Sequence, residues 1–119
     1  LKRLFLKNTN TGNFRNNYFN FFNLIHLEEI DFSQNSIHSL NTNNTNTENN
    51  RNKLFTFNYN KNQNNIRKIN INDNQLILVD KSFLSSLNKL KELNLSFNNL
   101  AELQPFQFES CKNLRILNL

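Results

Sequence analysis

The sequence predicts an α/β solenoid: a stack of similar coils, each lending one short strand to a parallel sheet on the inner, concave side. Three observations point there. First, one pattern of apolar residues closed by an asparagine, LxxLxLxxNxL, returns along most of the chain. It is complete as Leu27, Ile30, Phe32, Asn35 and Ile37, as Ile66, Ile69, Ile71, Asn74 and Leu76, and as Leu90, Leu93, Leu95, Asn98 and Leu100. Second, the copies keep register, since Leu90 follows Ile66 by 24 residues and Leu114 follows Leu90 by 24. Third, the segments between copies repeat an apolar pair of their own.

The elements follow in chain order. A degenerate copy opens the chain with Leu1, Leu4 and Leu6, where Thr9 takes the asparagine position and Thr11 the last apolar one. Within each copy the central apolar residues alternate with polar ones, as a strand with one buried face requires. A lone strand of this kind cannot bury its face, so coils must stack, which places Leu93 beside both Ile69 and Leu117. Each fully buried leucine contributes roughly 1.5–3 kcal/mol. Asn35, Asn74 and Asn98 stand where the chain leaves the strand, and their amides are expected to form a structural ladder that satisfies backbone groups left without strand partners. Losing one would cost about 1–3 kcal/mol.

The return segments carry Phe21 and Leu24 before Leu27, Leu84 and Leu87 before Leu90, and Phe108 and Cys111 before Leu114, each pair six and three residues ahead. Such spacing predicts a short helical or irregular return with one apolar face. Copies therefore start near residues 1, 27, 66, 90 and 114 of a single domain spanning 1–119. The interval from 27 to 66 is 39 residues, fifteen more than 24, and the surplus coincides with "NTNNTNTENNRNK". Residues 41–58 are read as an Asn/Thr-rich insertion, too polar to supply a core and expected to be disordered. A weaker echo at Leu54, Phe57, Tyr59 and Asn62 is set aside, because a copy starting there would leave only twelve residues before Ile66.

These residues resemble leucine-rich repeats, with the 24-residue spacing and the "LSFNNL" and "FxxCxxL" elements of Toll-like receptor ectodomains. The resemblance covers nearly the whole chain outside the insertion. It implies a horseshoe-shaped solenoid with a short-stranded parallel sheet on the concave face, working as a protein-binding module. Since solenoids need capping repeats and the pattern starts and stops within a copy, the chain reads as a fragment of a longer Asn-rich array.

Composition bounds the remaining functions. The net charge is +5 and 29 of 119 residues are asparagine, while glycine, proline and alanine occur once each. That balance is read as codon bias toward AT-rich codons, so asparagine as such marks no site. A single glycine excludes a glycine-rich phosphate loop, and the lone Cys111 excludes a disulfide framework or zinc set built within the chain. Cys111 is expected to be a packed thiol, and His26 and His38 surface residues without catalytic or metal-binding partners. No enzyme activity, metal or cofactor is expected of these residues. No apolar run reaches the roughly 18 residues of a membrane span. Compartment is not legible, and the sequons at Asn43 and Asn94 are expected by chance in so Asn-rich a chain.

The concave positions are those between the strand apolar residues. They hold 12 of the chain's 23 acidic and basic residues, seven basic and five acidic. A nucleic-acid groove is not expected, because Glu28, Glu29 and Asp31 interrupt the positive charge. A protein partner of complementary charge is expected instead, through Lys2, Arg3, Phe5, Glu28, Glu29, Arg67, Lys68, Lys91, Phe97 and Arg115. The alternative is a sensor or regulatory array whose signalling enzyme or membrane receptor lies outside these residues.

Overall fold

The computed structural model of the chain describes residues 1–9, 19–21, 23–40, 55–56 and 64–119. Its main sheet holds five parallel strands: β1 (Arg3–Phe5), β3 (Glu29–Asp31), β6 (Lys68–Asn70), β8 (Glu92–Asn94) and β9 (Ile116–Asn118). They lie side by side in chain order, one per coil. The register runs Leu4, Ile30, Ile69, Leu93, Leu117 across the sheet, so the central apolar residue of every copy meets its equivalents on both sides. Because β3 pairs directly with β6, the echo at Leu54 supplies no strand between them.

The core lies behind the sheet. Ile30, Ile69 and Leu93 are at most 2% exposed, as are Phe32, Ile71 and Leu95 two residues further on. The return segments close the other side with Phe21, Leu84, Leu87 and Cys111 buried and Leu24 and Phe108 partly buried against them. Their three-residue spacing has a backbone cause. In each return, successive amides donate to the carbonyl three residues back: Leu24 to Phe21 and Leu27 to Leu24, Leu87 to Leu84 and Leu90 to Leu87, Cys111 to Phe108 and Leu114 to Cys111. This tight i to i−3 winding brings every third side chain to the same face.

One of these returns begins with a short helix, α1 (Lys81–Ser85), capped by Asp80, whose carboxylate accepts from the Ser82 amide at 2.7 Å. That is the N-cap geometry expected of an aspartate.

Two small sheets were not legible as strands in the sequence. After the asparagine turn, β4 (Ser39–Leu40) pairs in parallel with β7 (Leu78–Val79), and Leu40 and Val79 point inward. On the return side β2 (Phe19–Asn20) pairs with β5 (Phe55–Thr56). Strand β5 falls inside the 41–58 segment, and the rest of that segment lies outside the described residues. Strand β5 starts 26 residues after β3 and 13 before β6, against 16 and 10 for β2 in the first coil. Most of the extra length therefore sits between β4 and β5.

Beyond β7 the next coil offers no strand to pair with it. There the buried Gln107 side chain donates to the Val79 carbonyl and accepts from the Gln104 amide at 2.9 Å. A side-chain amide thus takes the place of a strand hydrogen bond.

Candidate protein-binding face

Asparagine joins the coils in two separate columns. In the inner one, the Asn74 amide group donates to the carbonyls of Ile71 and Asn72 in its own coil and of Phe32 in the preceding one, at 3.0–3.2 Å. Its Oδ1 accepts from the Ile37 amide at 3.0 Å. Asn98 repeats the arrangement with Leu95, Ser96 and Ile71, and accepts from Leu76 at 2.9 Å. Asn35 does so with Phe32, Ser33 and Leu6, and accepts from Thr9 at 3.1 Å. Thr9, in the degenerate first copy, donates its hydroxyl to the Leu6 carbonyl at 3.0 Å, the contact an asparagine would make to its own coil.

The outer column faces the open side of the sheet. Asp31, Asn70, Asn94 and Asn118 stand opposite one another in the register. Asp31, Asn70 and Asn94 each accept from the amide two residues ahead, at Ser33, Asn72 and Ser96, fixing the turn out of the strand. Asn70 also donates to the Asp31 carboxylate at 3.1 Å. Burial pushes the Asp31 carboxyl up, but hydrogen bonds from Ser33 and Asn70 and the charge of Lys7 outweigh it and hold it below its ordinary value.

That turn imposes a cost on the residue that follows it. Asn8, Gln34, Asp73 and Phe97 are equivalent in the first four coils, and all have φ between 51° and 57°, the left-handed region. Asn and Asp tolerate it, whereas a bulky residue is strained there. Phe97 nonetheless occupies it and is 80% exposed.

The charged residues divide by column. Arg3, Glu29, Lys68 and Glu92 are neighbours in the register and alternate in sign, joined by ion pairs of 3.2, 3.8 and 3.2 Å. One residue earlier, Lys2 pairs with Glu28 at 3.9 Å. Arg67, Lys91 and Arg115 continue that second column and make no ion pair with any described residue. Phe5 is 56% exposed at the end of β1, opposite Asp31.

Between β6, β8 and β9 the face dips into a depression of about 200 Å³, rimmed by Lys68, Asn70, Glu92, Asn94, Ile116 and Asn118 over Ile69 and Leu93. Sites that enclose a small molecule are generally roughly 300–1,000 Å³. A depression of this size suits a single side chain of a larger partner.

The sequence-derived residues thus share one face, but the first two coils spend most of their charges on each other. The pairing follows from the register, and treating all concave positions as one pool hid it. A third inter-coil set on the flank had no signal at all, because asparagine is so abundant: Asn65 donates to the Ile25 carbonyl at 2.6 Å, Lys89 to Asn65 at 2.8 Å, and Asn113 to the Asn88 carbonyl at 2.7 Å.

The chemistry of the remaining candidates is quiet. His26 and His38 are exposed. Cys111 is buried with its thiol 3.8 Å from the Leu84 carbonyl, and burial raises its pKa to about 11. A thiol held neutral in this way is a packing group rather than a nucleophile. Among the described residues no three His, Cys, Asp or Glu side chains are grouped to hold a metal, and no helix is long and apolar enough to cross a membrane.

Residues 64–119, which contain the last three coils, match the family model for the leucine rich repeat. No curated protein matches the chain. The two earlier coils extend the same sheet in the same register and with the same asparagine bridges. The matched residues 64–119 are thus identified as leucine rich repeats, and the two earlier coils continue their sheet.

Proposed function

We propose that this chain is a protein-interaction module that binds its partner on the concave face of the five-stranded sheet. The observation that carries the reading is the open face itself. Every strand presents outward side chains with nothing of the described chain above them, and their exposed aromatic and charged groups are the types that anchor protein interfaces. The surface comprises Lys2, Arg3, Phe5, Glu28, Glu29, Arg67, Lys68, Lys91, Phe97 and Arg115. Its work is recognition, with no bond made or broken by these residues.

The test uses bulky charge at the depression. Asn94→Glu together with Ile116→Glu should abolish partner binding measured by titration calorimetry, while Ile77→Glu, at a residue 60% exposed outside the main sheet, should leave it intact. Equal binding by both variants would move the site off the concave face.

A further inference from the structure

Two charge columns cross the sheet side by side; one is spent internally along its length, the other only at its first pair, Lys2 with Glu28. Arg3, Glu29, Lys68 and Glu92 neutralise each other through consecutive ion pairs, and the row ends on Ile116, opposite Glu92. In the neighbouring column Arg67, Lys91 and Arg115 follow one another without an acidic residue between them. Their backbones are locked together, the Lys91 amide donating to the Arg67 carbonyl at 2.8 Å and the Arg115 amide to the Lys91 carbonyl at 2.9 Å. Adjacent strands are about 4.8 Å apart, so three cations stand within about 10 Å along the solenoid axis. Like charges directly opposite on neighbouring strands destabilise a sheet. No ion pair within the described chain offsets that repulsion.

We propose that Arg67, Lys91 and Arg115 receive an acidic segment of a protein partner, lying along the axis over the third to fifth coils, with an apolar side chain of that segment seated beside Ile116. This rests on the concave-face reading above and specifies its occupant. Charge complementarity selects the acidic segment. A protein segment also fits better than a nucleic-acid strand: the positive column is only three residues long and meets Glu28 at the next coil, while Glu92 lies one residue away. A regular phosphate backbone would run onto those carboxylates, whereas a peptide can confine its acids to three positions. Ile116, 47% exposed next to the depression, supplies the apolar contact.

The experiment is selection of a phage-displayed random dodecapeptide library on the immobilised chain, followed by affinity measurement of the enriched peptides. Enrichment of acidic peptides carrying an apolar residue is expected. Their binding should fall about tenfold in the Arg67→Gln, Lys91→Gln, Arg115→Gln variant, the effect of losing three exposed ion pairs, and should weaken with salt. Lys81→Gln with Glu109→Gln, which removes a 3.0 Å ion pair away from the main sheet, should leave it unchanged. Peptides without an acidic bias, or indifferent to the triple variant, overturn the inference. If those peptides are still lost on Asn94→Glu with Ile116→Glu, the concave-face reading survives alone; if they are not, or if no peptide is enriched, both fall. Tighter binding of a twelve-nucleotide single-stranded RNA than of the acidic peptides would assign the column to nucleic acid and overturn the proposal.

Discussion

The inner and outer asparagine columns use the same residue type for different ends. Asn74 is 8% exposed and its one side chain meets three carbonyls and an amide drawn from two coils. Asn70, four residues earlier, is half-buried on the open face, where it shapes a local turn and touches one neighbour, Asp31. In the inner column water cannot replace a lost partner, so the bonds decide whether adjacent coils stay joined. In the outer one water is at hand, so the amides set geometry more than stability. Residue type alone therefore says little about a repeat protein; depth and inter-coil reach say much more.

The largest expected effect removes what both columns depend on. Leu93→Asp places a charge where the side chain is fully buried between Ile69 and Leu117. Cooperative unfolding by circular dichroism should be lost at room temperature, since an unpaired buried charge exceeds what neighbouring coils can absorb. Survival of a cooperative melt would mean that the coils are far less coupled than the register indicates.

Asn74→Ala separates the columns directly. It should destabilise the chain by about 1–3 kcal/mol in urea unfolding, the cost of leaving buried carbonyls and the Ile37 amide unpaired. Asn70→Ala should cost less than about 1 kcal/mol. Equal losses would erase the distinction between the columns.

A smaller effect sharpens the outer column through pH. Because the folded Asp31 carboxyl lies below its ordinary value of 3.8, its stabilisation is full above that value and drains away as acid carries the pH down through the lower folded pKa. Asp31→Asn should flatten the fall in stability below about pH 4. An unchanged acid limb would show that the charge is not what the surrounding donors hold.

The smallest change has the opposite sign. Phe97→Gly should raise the melting temperature slightly, because relief of a left-handed backbone that costs a residue with a Cβ about 1–2 kcal/mol is largely offset by glycine's greater freedom in the unfolded chain. If the concave face works as proposed, the same variant should bind its partner more weakly. A gain in stability with no loss in binding would leave Phe97 with no role on that face.

Most of the fold was legible because its signal is periodic. The repeating apolar positions placed the five strands and their register, and the inner asparagines, by position alone. The ion-pair row was legible in principle, since Arg3, Glu29, Lys68 and Glu92 occupy one position of the repeat, yet it emerges only when that position is read coil by coil. The small sheets were not legible: "SL" and "LV" are too short to carry a period, and their pairing is set by the stacking of coils rather than by local sequence. Gln107 gave no warning either, because its role arises only where the following coil lacks a strand to meet Val79.

The uneven second coil has a practical consequence. Strands β4 and β5 dock against neighbouring coils at residues 40 and 55, so the two ends of the long connection are anchored whatever its length. Doubling such a connection adds only about 0.6 kcal/mol of closure entropy. A fluorescent reporter or an affinity handle spliced between residues 40 and 55 would leave the pairings of β4 and β5 in place, which makes this interval a port through which to watch the chain bind.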